Sequence, residues 1–321
     1  VKGLWLEDRQ ITYRTDLPMP EPGPGEAVIK TSLAGICSTD LEMARGYTDF
    51  TGVPGHEFVG VVHQAPQSPK LEGQRVVGEI NIVCGECFHC RNGRASHCLN
   101  RTALGIHDRN GVFAEYFTLP LENIHPLPDV VPDTWAVFTE PLAAALQIHQ
   151  QVHVHPGDRV LVVGAGRLGQ LVAQTLKLTG CDLRVAARYE SQRKILVSQG
   201  IPVLTEEEIP SGTEDLVVDA TGSPSGFAAS RRAVRSRGTL VLKSTYADEL
   251  TWDASGLVVD EINLIGSRCG PFPPAIRLLA NEQVNPELLL DAVYPLEEGL
   301  AALEKAGTSG ILKVGLAPEG E

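Results

Sequence analysis

No stretch of the chain approaches the roughly 18 consecutive apolar residues that a membrane-spanning helix needs, so an integral helical membrane protein is not expected. Positive charge is also scarce. Against 40 Asp and Glu there are 27 Lys and Arg, a net charge of -13, and no basic stripe runs along any segment. Nucleic acid and anionic membrane surfaces recruit proteins through clustered cations, and neither is expected as a partner. The opening VKGLWLEDRQ has acidic residues where a secretory leader needs an apolar core, so a soluble, cytoplasmic protein is expected. A disulfide framework is missing as well, because the seven cysteines are an odd number in a chain of 321 residues and such frameworks belong to short secreted domains. The thiols are left for metal binding or catalysis.

The chain is long enough for two domains at roughly 100 to 200 residues each. Its organising stretch is Arg159 to Val172, RVLVVGAGRLGQLV. The apolar, β-branched run Val160–Val163 reads as a buried strand, and Gly164, Gly166 and Gly169 fall at G-x-G-x-x-G spacing before a helix-forming segment. In that context Gly164 makes the tight turn, Gly166 admits a pyrophosphate against the backbone, and Gly169 lets strand and helix pack closely. Arg167 and Leu168 lie between them at the helix start, where free N–H groups attract an anion. Some twenty residues on, an NAD-selective site needs Asp or Glu at the end of the second strand, here Leu183–Ala187. This chain has Ala187-Arg188 instead. Without a carboxylate to repel a 2′-phosphate, NADP(H) is expected rather than NAD(H), with Arg188 as principal contact and Arg193 as a second. The alternative for Arg188 is ordinary exposed surface.

Cys84, Cys87, Cys90 and Cys98 are spaced C-x2-C-x2-C-x7-C in CGECFHCRNGRASHC. Four thiolates from one loop can close a tetrahedron around a zinc ion with no open position, which makes the site structural and not catalytic. An iron–sulfur cluster also takes four thiolates and is the alternative. Elsewhere, GICSTDLE contains Cys37 and PGHEFVG contains His56 and Glu57. Taken singly these are ordinary core or loop residues. Together, thiolate, imidazole and carboxylate are the donor mix of a catalytic zinc that keeps one position open.

Cys-x-Thr-Asp, then Gly-His-Glu, then a glycine-rich nucleotide turn, in that order over nearly the whole chain, resembles the medium-chain zinc-dependent alcohol dehydrogenase family, in its polyol, threonine and sugar dehydrogenase branch. The resemblance implies an α/β protein: a GroES-like β-rich catalytic domain, residues 1–148 and 267–321 with a structural zinc lobe at 84–98, into which a Rossmann doubly wound parallel-sheet domain, residues 149–266, is inserted. It places the active site in the cleft between the two. Cys37 and His56 match ligands of the catalytic zinc, and Glu57 a ligand or immediate neighbour. Thr39 matches the hydroxyl that takes the substrate's proton, and Asp40 the carboxylate that orients the histidine ligand. Glu140, in the Glu-Pro-Leu-Ala segment, matches the remaining ligand position of this branch; whether Glu57 or Glu140 fills it is open. Lys313 matches a basic position at the cofactor phosphates.

Glu42 departs from the pattern, standing where many alcohol-oxidising relatives place a histidine at the outer end of the proton relay. The expected activity is zinc-dependent, NADP(H)-linked hydride transfer between a small-molecule secondary alcohol or polyol and its carbonyl, with two zinc ions per chain in a homodimer or homotetramer. The alternatives are a specialised reductase of a biosynthetic intermediate and a nucleotide-binding scaffold or sensor that has kept the fold.

Overall fold

The computed structural model describes residues 1–246 and 249–318. The chain forms two compact units: residues 1–140 together with the segment from Phe272 on, and Pro141–Pro271. Among the described residues no helix is long and apolar enough to cross a membrane.

The second unit is built on the strand Arg159–Val163. Val160, Leu161 and Val162 are fully buried, each stabilising the fold by roughly 1.5–3 kcal/mol relative to exposure. Apolar side chains pointing both ways require cover on both faces, the situation of a parallel sheet. The sheet has six strands in the order Val203–Leu204, Asp182–Ala186, Arg159–Val163, Glu214–Asp219, Val234–Leu242, Asn263–Gly266, and all five pairings are parallel. Chain order runs outward in one direction from Arg159–Val163 and then outward in the other from Glu214–Asp219. The crevice at that reversal, beyond the carboxyl ends of the strands, is where open parallel sheets bind ligands. One apolar layer is completed by the helix Pro224–Ala233, whose Phe227 and Ala229 pack with Leu161, Val217 and Leu240.

In the first unit a seven-stranded sheet is centred on Glu26–Gly35, which pairs antiparallel with Lys313–Ala317, Glu57–Gln64 and Tyr116–Pro120. Along Ala27 to Leu33 burial does not follow the strict alternation of a half-buried strand. Ala27, Val28 and Ile29 are all fully buried, and the register against Glu57–Gln64 shifts between Val28 and Ile29, an irregularity that re-aims adjacent side chains. The segment from Asp133 on forms two helices, Asp133–Ala136 and Thr139–Gln151. Pro141 has no N–H to offer the Val137 carbonyl, and the Thr139 hydroxyl donates instead to the Ala136 carbonyl at 2.7 Å. The second helix therefore begins anew, with Glu140 in its first turn.

Candidate functional site

Three neighbouring strands deliver the catalytic candidates to one place. Gly35, at the end of the central strand, lies opposite Glu57 on one side and Gly315 on the other. Two residues beyond Gly35, Cys37 caps the helix Ser38–Ala44, and Asp40 accepts a hydrogen bond from the Cys37 N–H at 2.7 Å. On the facing strand His56 precedes Glu57, after Gly55 at φ +94°. A Cβ on Gly55 would stand 2.4 Å from the Phe113 ring, so only glycine lets the chain turn here and aim His56 inward. One ligand atom each from Cys37, His56 and Glu57 lies within 4.8 Å of the others. Glu140 is not part of that group.

His56 and Asp40 are buried, and Nδ1 of the imidazole is 3.3 Å from the Asp40 carboxylate. The approach is off the angle of a hydrogen bond and leaves both atoms without another partner, so the contact is one of charge. Burial, the largest influence on His56, works to lower its proton affinity. The charge of Asp40 and the contact with Cys37 outweigh it and hold the imidazole well above its ordinary value. The Thr39 hydroxyl is 3.9 Å from the Cys37 sulfur. A half-buried thiol with a buried imidazole and carboxylate, one imidazole nitrogen backed by a second carboxylate, is the donor set of a zinc site with its supporting shell, and the residues fit that ion.

Lys313 corrects its expected placement at the cofactor phosphates. It is 1% exposed, its ammonium group is bound to the Glu57 carboxylate, and it also donates to the Ile36 carbonyl at 3.3 Å. A cation buried this deeply is held by the anion buried beside it. The fit is tight, because a Cβ on Gly35 would stand 2.6 Å from Glu57 Oε2. Glu42 points elsewhere, into an exposed pair with Arg45 at 2.6 Å.

The four loop cysteines form a second group, again with ligand atoms within 4.8 Å. Sulfur–sulfur distances are 3.5 Å for Cys87–Cys90, 3.5 Å for Cys98–Cys84 and 3.9 Å for Cys87–Cys98. Zinc–sulfur bonds of about 2.3 Å in a tetrahedron require edges of about 3.8 Å, whereas a disulfide needs about 2.05 Å. The spacing is that of ligands. Backbone N–H groups of Cys90 and Leu99 bring Cys87 down to about 6, while burial and the neighbouring sulfurs push Cys90 up to about 12. Packed this closely, the sulfurs cannot all ionise without a cation among them, and the residues fit a structural zinc.

At the nucleotide turn the three glycines do three different things. Gly164 has φ +98°, and a Cβ on Gly169 would lie 2.0 Å from the Gly164 carbonyl oxygen. A Cβ on Gly166 would meet no atom of the described residues within 4 Å beyond its own chain neighbours, so a side chain there would disturb no packing. Gly166 caps the helix Arg167–Lys177, which no side chain caps, and Arg167 and Leu168 are half-buried in its first turn. Alanine at Gly169 is expected to destabilise the second unit by a few kcal/mol through this overlap, whereas alanine at Gly166 leaves the melting temperature unchanged and weakens dinucleotide binding. Thermal melts alongside cofactor titrations check the pair.

Arg188 is exposed at the turn after the second strand. Arg193, expected as a second phosphate contact, is occupied locally: it pairs with Glu190 at 2.9 Å and donates to the carbonyls of Ala187 and Arg188 at 3.2 and 3.1 Å. Sequence reasoning missed a polar cluster at the carboxyl end of the Glu214–Asp219 strand. Buried Asp219 accepts hydrogen bonds from Thr221 Oγ1 at 2.7 Å and from the Tyr246 hydroxyl at 2.5 Å. Burial, reinforced by Asp219, raises Tyr246 above its ordinary value. Thr221 Cγ2 sits 2.9 Å from where a Gly164 Cβ would be, so the cluster braces the nucleotide turn.

In comparison with known proteins the chain is similar to dehydrogenases. The family described as alcohol dehydrogenase GroES-like domain matches residues 23–129. D-arabinitol dehydrogenase 1 of Uromyces fabae is 30% identical over 330 residues, covering 95% of this chain and 93% of its own. An L-threonine 3-dehydrogenase of Xanthomonas campestris is 33% identical over 245 residues, 70% of this chain and 69% of its own. Among solved structures, a zinc-binding dehydrogenase of Sinorhizobium meliloti bound to NADP superposes with a TM-score of 0.92 at 26% identity, covering 99% of both chains. An Escherichia coli alcohol dehydrogenase complexed with NADH gives 0.90 at 26% identity, covering 98% of both.

Proposed function

This chain belongs to the medium-chain zinc-type alcohol dehydrogenase family, in its polyol and threonine dehydrogenase branch, and from that premise we propose that it interconverts a secondary alcohol or polyol and its carbonyl with zinc and NADP(H). At the coarser level it is an oxidoreductase acting on alcohols. The observation that carries the finer reading is the convergence of half-buried Cys37 with buried His56 and Glu57 within 4.8 Å, in the same chain as a nucleotide turn with open space at Gly166.

Cys37 and His56 would hold the catalytic ion together with a carboxylate, Glu57 or Glu140; Cys84, Cys87, Cys90 and Cys98 would hold the structural one. Zinc at the first site supplies a Lewis acid to the substrate oxygen, and the nicotinamide supplies or accepts the hydride. The remaining work falls to side chains. The Asp40 carboxylate, 3.3 Å from Nδ1 of His56, favours a proton on that nitrogen by its charge and would free Nε2 to bind the ion. Thr39, beside the Cys37 sulfur, takes the hydroxyl proton when an alcohol is oxidised and returns it when a carbonyl is reduced. Lys313 pairs with the Glu57 side chain inside the protein and fixes its position. Arg188, with no carboxylate at the end of its strand, favours a cofactor carrying a 2′-phosphate.

An initial-rate screen of NADP and NAD against sugars, polyols, threonine and simple secondary alcohols tests this reading. Reduction of NADP with a polyol, a sugar or threonine is the expected result. Silence with every alcohol while metal and cofactor are bound would contradict it, and a clear preference for NAD would overturn the Arg188 argument alone.

A further inference from the structure

Two strand ends meet beside the expected 2′-phosphate position. The strand Asp182–Ala186 pairs in parallel with Val203–Leu204, and the Ala187 N–H donates to the Leu204 carbonyl at 3.0 Å. The two chains therefore leave the sheet side by side, each carrying a charged residue two positions beyond its strand: Arg188 on one, Glu206 on the other. Arg193 pins the first exit by its bonds to the carbonyls of Ala187 and Arg188. Across the gap Arg188 Nη2 faces Glu206 Oε2 at 3.6 Å, with both side chains more than half exposed.

We propose that Glu206 is a specificity-determining residue for the cofactor: its carboxylate occupies the Arg188 guanidinium when no 2′-phosphate is present and must be displaced when NADP(H) binds. The inference rests on Arg188 being the 2′-phosphate contact. At 3.6 Å the pair is held by charge, without a hydrogen bond of ordinary length, so it is readily exchanged. A phosphate offers more negative charge and oxygens spaced for both arms of the guanidinium, and it wins the exchange. NADH makes no such demand on Arg188 and leaves the pair intact. Glu206 thus lowers the preference for NADP(H) without abolishing it, and the chain retains use of both cofactors. Glu207 carries the same charge one residue on, but it is engaged locally with Thr205 and its own backbone. It provides the control for charge without contact.

The experiment titrates the full-length protein with NADPH and NADH, reading cofactor fluorescence at fixed ionic strength, for wild type and for E206Q, E207Q and R188Q. E206Q is expected to tighten NADPH by up to about five-fold, the range of an exposed ion pair, without tightening NADH; E207Q should change neither to that extent. An unchanged or weaker NADPH affinity in E206Q overturns the proposal, as does an equal gain in E207Q, which would make the effect one of overall charge. R188Q tests the underlying reading separately. A selective loss of NADPH affinity upholds it, and no selective loss removes it whatever E206Q does.

Discussion

Cys37→Ser is expected to lower turnover by about 10^3-fold, or about 4 kcal/mol of barrier, while the fold stays intact. Serine is among the best helix N-cap residues, so the cap of the Ser38–Ala44 helix survives and the Cys37 N–H keeps its bond to Asp40. What disappears is the thiolate that, with His56 and a carboxylate, makes the donor set. Steady-state kinetics, a melting curve and metal content on the same preparation separate the effects: activity and one zinc are lost, and the melting temperature holds. Retained turnover would remove the zinc mechanism, because among the described residues no other sulfur belongs to the group around His56.

The second large effect is structural. Cys98→Ala takes away the most buried of the four loop sulfurs, the one standing 3.5 Å from Cys84 and 3.9 Å from Cys87. A loop of this kind is cross-linked by its ion, and losing the link costs about 3 kcal/mol by analogy with losing a native disulfide. For a unit of this size that is a fall in melting temperature of roughly 6 to 12 °C. Scanning calorimetry should show the loss with one zinc missing and with residual turnover at low temperature. An unchanged melting temperature would mean that the four sulfurs, despite their spacing, do not bind an ion that supports the lobe.

The parts of the site legible in the sequence were those written in local code. The nucleotide turn announces itself because strand, glycines and helix are contiguous, and the loop cysteines because four ligands fall within fifteen positions. What was not legible depends on contacts distant in the chain. Glu57 and Lys313 are 256 residues apart, and nothing near either one signals that the lysine will be buried against the carboxylate instead of facing a phosphate. Arg193 looked available because two of its four hydrogen bonds go to backbone carbonyls, which sequence does not display. Asp219 and Tyr246 meet only because the strands Glu214–Asp219 and Val234–Leu242 are neighbours in the sheet. The break between Asp133–Ala136 and Thr139–Gln151 was half-written: Pro141 was visible, and the Thr139 bond that rounds the corner was not.

Two sets of side chains, one around Cys37 and His56 and one formed by the four loop cysteines, bring together the donor groups of zinc sites. The most direct test is the metal content of the purified protein, measured per chain by mass spectrometry of the acid digest. Two zinc ions per chain, falling to one in Cys37→Ser and to one in Cys98→Ala, is the predicted result. Iron in the cysteine lobe, or a first site that holds no metal while the protein turns over an alcohol, would contradict it.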